Sequence, residues 1–129
     1  MKANAIKPGV KLYGIKPEMV VVDTIVRMVF MRLGYDCVTT SGVGKKHSQL
    51  SLHYPGYAED YRSKHIPSVE EKKKVLKELK EALPCCDIVL EHIGGLQEHY
   101  HVEFDPKDDE QFQADKQFYR THGNWPHRP

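Results

Sequence analysis

Apolar positions along the chain change period several times, and each change predicts an element. Val22, Ile25, Val26, Val29, Phe30 and Leu33 recur three and four apart, which predicts a buried amphipathic helix over 17–33. Pro17 and Glu18 suit its first turn and Gly34 its C′ position. "CVTTS" at 37–41 is short and β-branched and reads as a strand; "GVGKKHSQ" after it is a loop; "YAEDYR" at 57–62 alternates and reads as a second strand. Ser68 with Glu71 forms a capping box for another helix, whose apolar face is Val75, Leu76, Leu79, Ala82 and Leu83 and which Pro84 ends. "DIVLE" at 87–91, a turn at Gly94-Gly95 and "HYHVEFD" at 99–105 form a strand, a turn and a clearly alternating strand. The first sixteen residues read as an extended or looping lead-in, and 106–129 as a polar tail. This order predicts an α+β domain, with helices packed on one face of a small, mainly antiparallel sheet. One domain spans 1–129, with its core at about 17–105.

Composition narrows the function classes. The chain has 129 residues, 40% hydrophobic and 29% charged, enough for one globular core. A formal net charge of +1 gives no general argument for a nucleic-acid or membrane partner. The lysine run 72–74 reads as the solvated side of the second helix. The apolar stretch around 20–30 is broken by Asp23 and Arg27 and is too short to span a bilayer. The N-terminus has no apolar core of a secretory signal, so synthesis in the cytoplasm is expected. Three cysteines, two of them adjacent, make no disulfide framework and read as reduced thiols.

Histidines near acidic residues supply the candidate chemistry. In "SLHYPGYAED", 51–60, Pro55 and Gly56 forbid a helix, which puts His53 in a loop and Asp60 in the strand leaving it. A catalytic zinc site usually has three protein ligands and an open position. The strand at 99–105 offers a third, because His99, His101 and Glu103 share one face while Tyr100, Val102 and Phe104 point to the core. Glu98, three residues before His101, is a candidate general base, with Glu91 as its rival. Taken singly, a loop histidine or an HxH strand is more often ordinary surface; the conjunction carries the signal.

The stretch 51–60 reads S-x-H-x-x-G-x-A-x-D, with Ser51, His53, Gly56, Ala58 and Asp60 in place. It resembles the signature of the zinc D,D-carboxypeptidase and endopeptidase family, which includes several phage endolysins. "EHYH" at 98–101 resembles the family's second signature. The resemblance implies a hedgehog-like α+β fold and one Zn²⁺ per chain, held by His53, Asp60 and His101. It implies further that Glu98 is the base, that His99 stabilises the tetrahedral intermediate, and that Ser51 contacts substrate. The upstream arginine with which some members polarise the scissile carbonyl has no clear counterpart; Arg62, Lys45, Lys46 and His47 are the candidates to replace it, Arg62 being favoured. The implied substrate is a peptidoglycan stem peptide, cut at D-Ala–D-Ala, L-Ala–D-Glu or another bond, by a phage lysis enzyme released to the cell wall by a separate lysis factor or by a cytoplasmic dipeptidase. The alternative is a hedgehog-type domain that binds zinc without hydrolysis. Glu59 departs from the pattern, standing where an apolar residue is usual, and implies a less buried strand.

Overall fold

The structure is a computed structural model and describes residues 4–10, 12, 15–42, 57–105 and 110–123. Its elements run β1 (Asn4–Ile6), α1 (Pro17–Leu33), β2 (Cys37–Ser41), β3 (Ala58–Arg62), α2 (Val69–Ala82), β4 (Cys86–Glu91), β5 (His99–Phe104) and α3 (Glu110–His122). The five strands form one sheet in the order β1-β2-β3-β5-β4. Among the described residues only β1 and β2 run parallel, joined through α1; the other three pairings are antiparallel. This is the α+β class expected from the order of elements, with two elements that the sequence pattern left undefined, β1 and α3.

Local chemistry accounts for the helix ends. Gly34 adopts φ 85°, and the Gly34 and Tyr35 amides return to the Met31 and Phe30 carbonyls, a closure that needs the left-handed conformation glycine accepts without cost. Ser68 caps α2 by accepting from the Glu71 amide at 3.1 Å. From α1, Met19, Val22, Val26, Val29 and Phe30 are buried, and from α2, Val75 and Leu79. They meet Tyr61, Ile88, Leu90, Tyr100 and Val102 in one core, each such side chain contributing about 1.5–3 kcal/mol.

Strand parity fixes what faces the helices. Phe30 of α1 packs edge-on against Tyr100 of β5, the Tyr61 hydroxyl of β3 donates to Asp23 of α1 at 2.7 Å, and the Tyr100 hydroxyl donates to the Lys72 carbonyl of α2. Glu59 has the parity of Tyr61 and is fully buried, so β3 is not the less buried strand that its acidic residue implied. Burial drives the Glu59 carboxyl up to about 8, helped by its neighbour Asp23. A protonated Glu59 can lie among apolar side chains where a carboxylate could not. Asp23 is also paired with Arg27 at 2.9 Å, and Arg27 reaches the Cys37 carbonyl and Thr39 hydroxyl of β2. This buried polar network ties α1 to β2 and β3. Residues of the opposite parity, Asp60, His99 and His101 among them, face away from the helices.

Candidate metal centre

The register of the central strands assembles the site. Asp60 lies directly opposite His101, and Arg62 opposite His99, across the β3–β5 pairing. On the other flank of β5, Glu91 of β4 lies opposite His99. Directly paired residues share a face, so one patch of sheet carries Asp60, His99, His101, Glu91 and Arg62. Asp60, His99 and His101 each offer a ligand atom, and these atoms lie within 4.8 Å of one another. The three could hold one metal ion.

Hydrogen bonding prepares the two imidazoles for that task. His99 Nδ1 is 2.6 Å from the Gln97 carbonyl, which only accepts, so Nδ1 carries a proton and Nε2 is the nitrogen that faces the cluster. That Nε2 is 3.6 Å from Asp60 Oδ2 and 3.7 Å from Glu91 Oε1. His101 donates from Nε2 to Glu103 Oε1 at 2.7 Å and from Nδ1 to Asp60 Oδ1 at 2.9 Å. Burial opposes charge on this ring, but the bonds to Asp60 and Glu103 outweigh it and lift its pKa to about 10. A metal ion held by Asp60 and His101 Nδ1 would take the place of the Nδ1 proton, with Nε2–H remaining on Glu103. Both rings would then be oriented by an oxygen acceptor on the far nitrogen, the arrangement that accompanies histidine ligation. The donor set, a carboxylate with two imidazoles, suits a borderline ion.

Glu98 stands elsewhere. The alternation that sends Tyr100 into the core sends Glu98 to the same side. Its carboxylate accepts from Ser63 Oγ at 2.7 Å and from the Gly94 amide at 2.7 Å, and it pairs with Lys72 Nζ of α2 at 2.8 Å. Burial works against its charge, yet these three donors prevail and hold its pKa down to about 2. With its side chain 1% exposed and its oxygens engaged, it is a structural anion, poorly suited to taking a proton from water. Lys72 is accordingly partly buried rather than one of three solvated lysines. Glu91, 38% exposed at its side chain and 4.0 Å from His101 Nδ1, is the carboxylate beside the cluster.

The sheet thus brings together Asp60, His101, His99 and Arg62 from the residues singled out in the sequence, with His99 inside the cluster as a possible ligand rather than beside it. Ser51 and His53, with Lys45, Lys46 and His47, lie outside the described residues. Glu91 entered the sequence reading only as a rival to Glu98, and strand alternation counted back from Tyr100 would have favoured it. Glu103, the partner of His101, was visible as its neighbour on the same face. Among the described residues no helix is long and apolar enough to cross a membrane. Compared with known proteins, the chain matches no family model, no curated protein and no solved structure.

Proposed function

We propose that the chain is a zinc-dependent peptidase acting on amide bonds of peptidoglycan stem peptides. The observation that carries this reading is the convergence of Asp60, His99 and His101 with the far nitrogens of both rings tied to oxygen acceptors. The choice of substrate is supported by the motif at 51–60, whose Asp60 is a member of that cluster. His53 of the same motif is a further ligand on this reading.

Bound zinc would supply a Lewis acid that makes water easier to ionise near neutral pH. The remaining work falls to the chain. Gln97 and Glu103 fix the ring orientations. Glu91, across from His99 and partly open to solvent, takes the proton from water and returns it to the leaving amine. Arg62, across β5 from Glu91, would offer its cation to the carbonyl oxygen, where negative charge develops, or to an anionic group of the peptide. Because the imidazoles bind metal through lone pairs, and His101 without a metal holds its second proton up to about pH 10, affinity should weaken steadily as pH falls below that value, and turnover with it.

The test is release of free amines from purified peptidoglycan, with mass analysis of the fragments. Amine release that a chelator abolishes and added zinc restores is the expected result, and the fragment masses name the bond. Absence of cleavage by zinc-loaded protein would contradict hydrolysis. It would favour the second reading, a zinc-binding domain without activity, for which the engagement of Glu98 by Lys72 and Ser63 is the specific support.

A further inference from the structure

Helix α1 is apolar on two sides. One side, through Met19, Val22, Val26, Val29 and Phe30, is buried against α2 and the sheet. The other carries Val20, Val21, Met28 and Met31, each between 48% and 63% exposed. Thr24, among them, spends its hydroxyl on the Val20 carbonyl at 2.9 Å. Among the exposed residues of α1, charge lies only at the two ends: Glu18 in the first turn and Arg32 in the last. The outer side of α2 shows what a solvated face of this molecule looks like, with Glu70, Lys73, Lys74, Lys77 and Lys80 exposed. A helix face as apolar as the outer side of α1 is suited to a protein surface rather than to water.

The stripe has the order of a helix-pairing seam. Val21, Thr24, Met28 and Met31 follow one another three, four and three residues apart, the spacing that keeps one line of side chains against a neighbouring helix. It is also self-complementary. Val21 with Met28, Val20 with Met31, and Glu18 with Arg32 are each centred within one residue of Ile25. A two-fold axis at that point lays α1 antiparallel on the α1 of another molecule. The valines of each helix then meet the methionines of the other, and Glu18 meets Arg32 twice. In a parallel pair Glu18 would meet Glu18, and Arg32 would meet Arg32. Arg32 also holds Glu78 at 3.0 Å, but its side chain is 61% exposed and its five N–H donors can serve both carboxylates.

We propose that the chain pairs with a second copy of itself through the outer stripe of α1, the two helices antiparallel about a two-fold axis at Ile25. The cluster of Asp60, His99 and His101 faces away from the helices, so both centres stay open in the pair, and the proposal is independent of the peptidase reading. Two single helices, each about 25 Å long, bury less than about 1,200 Å² together, the size class of weak, reversible contacts.

Sedimentation equilibrium from about 1 µM to about 0.5 mM protein covers the affinities such a contact gives. The apparent mass should rise from that of one chain to that of two and stop there. Met28→Glu, and Val21→Glu as a second seam variant, should each raise the dissociation constant at least about a hundredfold, because each places two unpaired charges in the contact. Their circular dichroism should match the wild type, since both positions are more than half exposed in the single chain. Glu18→Arg and Arg32→Glu should each weaken the pair about threefold or more. The double exchange should restore it, which a parallel pair or a different face would not allow, and it decides the matter if a seam glutamate disturbs the helix. A monomer at every concentration overturns the proposal. So does a dimer that both seam variants leave intact, a double exchange that recovers nothing, or association that grows past two copies. A monomer that floats with vesicles of anionic lipid would assign the stripe to a membrane surface and also overturn it.

Discussion

Four carboxylates in this molecule have four different environments, and their substitution should separate them. Glu59 is fully buried and its Oε1 has no hydrogen-bond partner. Burial raises its folded pKa from the ordinary 4.5 to about 8, so the native chain binds the extra proton. The contribution is therefore fully present below about pH 4.5 and is lost as pH rises through about 8. Glu59→Gln should remove that slope and raise neutral-pH stability, because glutamine takes up no proton on folding; urea melts from pH 5 to 9 check it. Glu98 has the opposite sign. Its lowered pKa stabilises the fold above about pH 4.5 and ceases to as pH falls towards 2. Glu98→Gln should cost about 3 kcal/mol by leaving Lys72 buried without its partner. Glu91→Gln should leave melting and zinc content unchanged while removing most turnover. If Glu98→Gln alone abolishes turnover in a protein of unaltered stability, Glu98 and not Glu91 is the base. Asp60 differs from all three, since its loss should remove the metal.

Helices and strands were legible where the apolar period was long. The seventeen-residue α1 has the bounds that its three- and four-residue spacing and its flanking Pro17 and Gly34 imply. Strand β5 has the faces its alternation implies, with Tyr100 and Val102 fully buried. Three-residue β1 buries too little to show a period; it is defined by pairing with β2, a non-local fact. Helix α3 is polar, with local ties such as Gln111 to Asp115 at 2.9 Å and an anchor from Lys116 to Asp105, so no apolar stripe announced it. The turn of Glu98 towards α2 was missed because spacing to His101 was weighed over strand parity, and the burial of Glu59 because its sequence position could not show the Asp23–Tyr61 network above it. At the end of α1, Gly34→Ala places a Cβ on a φ of 85°. With no atom within 4 Å to meet it, the cost is backbone strain alone, about 1 kcal/mol, readable as a lowered thermal midpoint with an unchanged zinc content.

Across the whole fold, two central strands and one edge strand present the candidate centre on the face that α1 and α2 do not cover. An ion that binds this face of the folded chain and not the unfolded one should stabilise the fold. At a free concentration a hundredfold above its dissociation constant, the gain is about 2.7 kcal/mol, seen as a higher thermal midpoint that chelation reverses. Uptake should also release about one proton per ion near pH 8, because His101 gives up its Nδ1 proton. The most direct measurement is zinc per chain after exhaustive dialysis, for the wild type and for Asp60→Asn and His101→Gln. One zinc per chain in the wild type, and its loss in both variants, is the predicted result. A wild type that retains none from zinc-containing buffer, or variants that keep the full complement, would contradict a metal held by this patch of sheet.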